Sequence, residues 1–374
     1  MRFLHTSDLH IGRKMNDVSL LDDQKYILER IAEIAEEHRC DAVIIAGDVY
    51  DKPTPSPEAM EVFDGFLRRL SEISRYVFVI SGNHDSQKRL EYLSEFVRER
   101  NIFICGCFDG APERHDFSDE FGDISVYMLP FIKPQTVREI CPDASAATYE
   151  QAVKFALSQC EIDPSRRNII IAHQFVTGAQ TCDSEVFAVG GQDNISASLF
   201  DEFDYAALGH IHGPQTINNG RIRYSGSPLK YSFSEARHKK SVTIADVGEK
   251  GSVKLSSIPL GYVHDVRDIR GSMEEIMNMP YSEDYVRVTV TDEEVAPDAR
   301  VSVRTAFPNM MKFAVDNSKT SSEIDTSGSD IIAGKSSAEL FRGFYSMMNN
   351  GTEPSDSQLK LVEEILERLG SEMI

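Results

Sequence analysis

Residues 42–52 run Ala42-Val43-Ile44-Ile45-Ala46-Gly47-Asp48-Val49-Tyr50-Asp51-Lys52. A short Val/Ile run that stops abruptly at Gly-Asp is the pattern of a buried strand delivering an acid at its C-terminal edge, where α/β sheets place their chemistry. This stretch sets the fold class as α/β and makes the carboxylate of Asp48 the centre around which other polar groups are sought.

Four more apolar runs end in the same way. Phe3-Leu4-His5-Thr6-Ser7 leads to Asp8-Leu9-His10, and Val77-Phe78-Val79-Ile80 leads to Ser81-Gly82-Asn83-His84-Asp85. Ile169-Ile170-Ile171-Ala172 leads to His173, and Tyr205-Ala206-Ala207-Leu208 leads to Gly209-His210-Ile211-His212. Carboxylate, imidazole and amide oxygen together suit a pair of borderline divalent ions such as manganese, iron or zinc. Two ions about 3.5 to 4 Å apart can clamp the attacking and leaving oxygens of a phosphoryl transfer. One carboxylate must then bridge them, and Asp48 is the expected bridge.

In this order the motifs D-x-H, G-D-x-x-D, G-N-H-D, H and G-H-x-H resemble those of the calcineurin-like metallophosphoesterases. The resemblance implies a two-sheet sandwich flanked by helices. It implies Asp8, His10, Asp48 and His212 on one ion, and Asp48, Asn83, His173 and His210 on the other, with manganese the expected metal. His84 would stand beside the ions as an acid that protonates the departing sugar oxygen, and Asp85 would orient it. Within the superfamily, the opening Met1-Arg2-Phe3-Leu4-His5-Thr6-Ser7-Asp8-Leu9-His10-Ile11-Gly12, the Gly47–Asp51 loop, the Gly226-Ser227-Pro228 turn and the layout of the C-terminal third are similar to the bacterial SbcD-type nuclease subunits. Lys52 stands where phosphoprotein phosphatases usually carry Arg, which weakens a phosphatase reading.

That narrower resemblance implies hydrolysis of double-stranded DNA at ends and hairpins, in repair and recombination. It also implies an SbcC-type coiled-coil ATPase as partner and a homodimer within a heterotetramer. No G-x-x-x-x-G-K-[ST] sequence occurs, so any ATP must be bound by another chain. The competing readings are a stand-alone phosphodiesterase or phosphatase, and a structural partner with a vestigial metal site. Against the last, every ligand position is intact.

The 374 residues exceed one ordinary core and predict two or three domains. A formal charge of -21 argues against a chain that coats nucleic acid non-specifically, so a DNA enzyme must gather its cations locally. Arg13-Lys14, Lys88-Arg89, Arg221 with Arg223, Lys230 and Arg237-His238-Lys239-Lys240 are the candidate clusters, each otherwise a solvated face. Six scattered cysteines without a C-x-x-C pair, an early Asp8 and no long apolar run predict a reduced, cytoplasmic protein.

Along the chain, helices are expected over Asp22–Arg39, over 57–75 with Met60, Phe63, Leu67 and Leu70 buried, and over Gln87–Arg100. Another is expected near Tyr149–Cys160. The loop from Ile11 to Leu21 either reaches a partner molecule or is simply solvated. Strands at Ile222–Ser225, Ser241–Val247 and Val253–Ile258 are expected to close the second sheet. Residues 1–260 form the expected nuclease domain and 261–316 a small α+β domain, which the resemblance makes a DNA cap. A Ser-, Thr-, Asp- and Gly-rich linker fills 317–336. The helices of 337–374 carry apolar stripes, Phe341, Phe344, Tyr345 and Met348, then Leu359, Val362, Leu366 and Leu369. Those stripes dock either on a partner helix or on the catalytic domain, and the resemblance favours the ATPase.

Overall fold

The computed structural model describes residues 1–185, 193–217, 220–318, 337–349 and 351–371. The Gly-rich stretch 189–192, most of the expected linker, and the side chains of Met348, Leu366 and Leu369 lie outside the described residues. The chain divides into two units, Met1–Asp265 and Val266–Ile374.

Two six-stranded sheets build the first unit. One runs in the order Val253–Pro259, Ser241–Val247, Arg2–Thr6, Ala42–Ala46, Tyr76–Ile80, Ile102–Cys105, its last four strands parallel. The other runs Gln215–Ile217, Ile222–Tyr224, Tyr205–Gly209, Arg167–His173, Gly122–Leu129, Glu113–Asp119, with the middle four parallel. Side-chain alternation explains the sandwich. Ile169 and Ile171 join Phe3, Ile44, Phe78 and Val126 in the core shared by the sheets, whereas Ile170 and Ala172 face Ala152, Val153 and Ala156 of the helix Tyr149–Ser158.

The crossover helix Leu21–Glu37 buries Ile27, Leu28, Ile31, Ile34 and Ala35. In Pro57–Ile73, capped by Ser56 Oγ accepting from the Ala59 amide, the buried stripe is Ala59, Phe63, Phe66 and Leu70. Met60 is 44% exposed, so the buried stripe is turned by one position from the expected one. The expected helix from Gln87 to Arg100 is two short ones, Gln87–Leu90 and Ser94–Arg98, broken where Leu93 takes a φ of 64°. Ser241–Val247 and Val253–Pro259 belong to the first sheet and not the second, because the former pairs antiparallel with Arg2–Thr6.

In the second unit the strands Val266–Gly271, Tyr285–Val290 and Met310–Val315 are parallel, joined through the helices Met273–Met277 and Ala299–Ala306. Ile269, Ile276, Val286, Val288, Val303 and Phe307 form its core. Helices Ser337–Met348 and Asp356–Ser371 follow, the second opened by Ser355 and Gln358, whose side chains each accept from the other's backbone amide.

Candidate metal centre

Every candidate metal ligand sits at or just beyond the C-terminal end of a parallel strand of one sheet or the other. The loops are pulled together by backbone bonds that continue the strand pairing: the Asp8 amide donates to the Gly47 carbonyl (3.0 Å) and the His10 amide to the Asp48 carbonyl (2.9 Å). Gly47, at φ +88°, has His173 where a Cβ would stand, and a Cβ on Gly82 would overlap Asp48 Oδ1. Only glycine lets these loops approach so closely. Asp8, His10, Asp48 and His210 have φ of 53°, 44°, 49° and 98°. Positive φ at non-glycine residues is costly, and its concentration at four candidate ligands marks a functional constraint.

The polar atoms converge on two points that share Asp48. Asn83 Oδ1 lies 3.0 Å from His173 Nε2 and 2.9 Å from His210 Nδ1, while Asp48 Oδ2 lies 3.4 Å from His173 Nε2. On the other side His10 Nε2 is 3.1 Å from His212 Nε2 and 3.6 Å from Asp48 Oδ2. Asp8 groups with His10 and His212, and also with Asp48 and His173. Its carboxylate is fixed by Ser7 Oγ (2.5 Å) and the His210 amide (2.9 Å). His173 Nδ1 meets the Ala46 carbonyl at 2.8 Å, which only accepts, so Nδ1 carries hydrogen and Nε2 faces the site.

Charge and donor chemistry fit divalent cations. Asp8 and Asp48 are buried, and among the described residues no Lys or Arg pairs with either. Burial pushes the Asp8 carboxyl above its usual range; at Asp48 burial is outweighed by His173 and His10, which hold it well below. Burial also opposes a charged His173, but Asp48 and Asp8 overcome it and raise that imidazole to about 9. Burial lowers His210 to about 3 and His10 well below its usual value. Carboxylate, imidazole and amide-oxygen atoms gathered within about 3 to 4 Å of one another, buried and with no Lys or Arg on either acid among the described residues, form a donor set suited to divalent metal.

His84 Nδ1 meets the Asp51 carbonyl at 3.0 Å, and the ring lies edge-on to His10 with centroids 4.7 Å apart. Asp85, expected to orient His84, does something else. Its carboxylate accepts from the amides of Val49 (3.1 Å), Tyr50 (2.9 Å) and Gly82 (2.9 Å), clamping the Asp48 loop to the Asn83 loop. The tight turn after Gly82 directs the side chain inward, and the Asp51 carbonyl takes the orienting role. The Asp51 side chain accepts from Arg13 (2.8 Å).

Sequence reading missed Glu235 and placed Lys240 only in a candidate cation cluster. Glu235, fully buried, faces His212 Nδ1 at 3.4 Å, accepts from Ser184 Oγ, and pairs with Lys240, whose ammonium also donates to the His212 carbonyl (2.8 Å). The His212 amide donates to Glu185 (2.8 Å). The signal was faint: an acid just before the Arg237-His238-Lys239-Lys240 run, which sequence alone assigns to a solvated face.

The family model for calcineurin-like phosphoesterases matches residues 1–214. A second, described as the type 5 capsule protein repressor C-terminal domain, matches residues 263–349. The chain is 30% identical over 384 aligned positions to the D subunit of the SbcCD nuclease of Staphylococcus epidermidis, covering 99% of this chain and 100% of that one. A crystal structure of a dimetal phosphatase from Danio rerio aligns with 70% of this chain and 96% of its own at 12% identity and a TM-score of 0.44. TT1561 of Thermus thermophilus aligns with 68% and 98% at 14% identity and a TM-score of 0.38; both are too remote to bear on the reaction. With its motifs gathered at the strand ends of one sandwich and its similarity running the full length, the chain belongs to the calcineurin-like phosphoesterases and, among them, to the SbcD family.

Proposed function

We propose that the chain is a manganese-dependent DNA nuclease subunit that hydrolyses phosphodiester bonds at duplex ends and hairpins, in the cytoplasm, together with an SbcC-type ATPase. The observation carrying this reading is the buried ligand set divided about Asp48, in a chain similar along its whole length to a nuclease subunit. Asp8, His10, Asp48 and His212 would hold one ion, and Asp48, Asn83, His173 and His210 the other. When bound, such a pair neutralises phosphate charge and makes water acidic enough to furnish a nucleophile at neutral pH. The chain supplies the rest. His84, held through Nδ1 by the Asp51 carbonyl, turns Nε2 to the departing sugar oxygen and gives it a proton as the P–O bond breaks. Asp85 keeps the two loops in register.

The small α+β unit would limit which DNA shapes reach the metals, and the helices of 337–374 would bind the ATPase. Tyr92 (74% exposed), Leu93 (56%) and Phe96 (74%) offer a surface for a second copy within a heterotetramer. No described helix is long and apolar enough to cross a membrane.

The test is cleavage of end-labelled duplex DNA, a DNA hairpin and bis(p-nitrophenyl) phosphate, with manganese and then magnesium, with and without the ATPase. Manganese-dependent cutting of DNA is expected. Hydrolysis of the small ester alone, with DNA uncut even when the ATPase is added, would move the chain to the small-substrate phosphodiesterases.

A further inference from the structure

A cavity of about 470 Å³ opens where the edge strands of the two sheets meet, lined by Arg223, His238, Lys239, Lys240, Gln215 and Gln180 among others. Its deepest charge is unusual. Arg223 is 8% exposed, yet among the described residues no carboxylate pairs with it. Instead three hydroxyls hold the guanidinium: Nε donates to Thr243 Oγ1 (3.0 Å), Nη1 to Thr216 Oγ1 (3.1 Å) and Nη2 to Ser257 Oγ (2.9 Å). Buried charges are normally paired, because losing water without gaining a counter-ion is costly. Among the described residues three of the five guanidinium N–H groups are engaged, which leaves one on each terminal nitrogen for a further acceptor, and Arg223 lines the cavity.

The surroundings point to the same kind of ligand. His238 Nδ1 is buried without a hydrogen-bond partner, its nearest acid being Glu235 at 3.9 Å. Lys239 is exposed at the cavity, and Lys240, the other lining ammonium, has its charge answered by Glu235. In a chain of formal charge -21, this cavity is lined by Arg223, Lys239 and Lys240 and, among the described residues, by no acid. It also adjoins the metal centre: Gly213 and Pro214 in its wall directly follow His212, and Lys240 donates to the His212 carbonyl at 2.8 Å.

We propose that this cavity is a phosphate-binding pocket separate from the metal ions, with Arg223 as its bidentate anchor and Lys239 as the cation at its mouth. The substrate strand's own backbone is the source of that phosphate if the nuclease reading holds; a free phosphate or released nucleotide presents the same chemistry.

The test uses the full chain stripped of metal, titrated with inorganic phosphate by calorimetry, as wild type, Arg223→Met and Lys239→Glu. The pocket predicts binding without divalent ions, weakened at least tenfold by Arg223→Met and several-fold by Lys239→Glu. Manganese-dependent hydrolysis of bis(p-nitrophenyl) phosphate should stay unchanged in both variants. A raised KM for duplex DNA in Lys239→Glu identifies the substrate strand as the source; an unchanged KM with lost phosphate binding identifies free phosphate or nucleotide. Absence of phosphate binding in the metal-free wild type, or binding that neither variant alters, overturns the pocket. If Arg223→Met fails to fold, the exposed Lys239→Glu decides alone. A chain that never cuts DNA defeats the nuclease reading while leaving the phosphate titration to judge the pocket.

Discussion

Asp48 Oδ2 stands 3.4 Å from His173 on one side and 3.6 Å from His10 on the other, so a single carboxylate serves both halves of the centre. His84 groups with His10 and Asp48 on one side of the centre, but its Nδ1 is tied to the Asp51 carbonyl. His84→Ala is therefore expected to keep its metal and its DNA affinity while turnover falls roughly 10² to 10⁴-fold, the scale of a lost general acid; single-turnover kinetics would read this, and an unchanged rate would remove His84 from the mechanism. Glu235 acts one step back, through His212 Nδ1. Glu235→Gln should weaken manganese binding about 10- to 100-fold, as loss of a histidine's outer partner typically does, and a metal titration showing wild-type affinity would refute it. The motif residues were legible because each follows an apolar strand run. Glu235 was not, since it closes a three-residue 3-10 turn too short to show periodicity and meets His212 only through the tertiary fold, and Lys240 was read only as one of a run of cations. Asp85 was misjudged because adjacency to His84 in sequence says nothing about the turn that points it at the Val49, Tyr50 and Gly82 amides.

Strands and helices were easier to place than their partners. The run Ser241–Val247 alternates as a strand should, but its pairing with Arg2–Thr6, more than two hundred residues earlier, is decided by non-local packing that no local pattern contains. Sheet edges also carry an electrostatic lock. Arg167, buried at the start of its strand, is gripped by the Asp119 carboxylate at 2.5 and 3.1 Å. Burial alone would raise Asp119, but the guanidinium, together with the Met1 ammonium 2.6 Å away, holds it below the usual carboxylate range. A depressed folded pKa stabilises the protein above the unfolded value of about 3.9, and that stability drains away as pH falls below it. Denaturant unfolding should find Asp119→Asn less stable than wild type by of order 1 kcal/mol at pH 7, the partly exposed acid being discounted for screening, with the gap narrowing once pH falls below about 4 and closing only as it passes through the depressed folded value. A gap that does not shrink with acid would contradict the pairing. In the last helix Leu359 and Val362 of the expected docking stripe are half-buried, and Leu361 (58% exposed) and Ile365 (47%), outside that stripe, present apolar side chains to solvent. Leu361→Asp with Ile365→Asp should abolish co-purification with the ATPase while shifting stability by no more than about 0.5 kcal/mol, as exposed positions do; retention of the partner would place its site elsewhere.

For the whole molecule, the acidic balance and the nuclease reading meet in the placement of charge. The formal -21 keeps DNA off most of the surface, while the acids that matter, Asp8 and Asp48, are turned inward against four imidazoles and an amide. The α/β class and the sandwich were legible from the strand-end motifs, because parallel strands buried on both faces leave near-continuous apolar runs. The second unit was legible in its elements, since the strand runs at His264–Ile269, Tyr285–Thr291 and Met310–Val315 and the Ser272–Glu275 capping box stand as read, while its role is carried by similarity and not by chemistry within its own residues. The most direct measurement is metal content and DNA cleavage on the same samples of wild type and Asp48→Ala, both reconstituted with manganese and desalted, with circular dichroism to establish equal folding. The account predicts two manganese ions per wild-type chain, a folded variant that has lost at least one, and no cleavage by the variant. A folded Asp48→Ala that retains both ions and cuts DNA would contradict it.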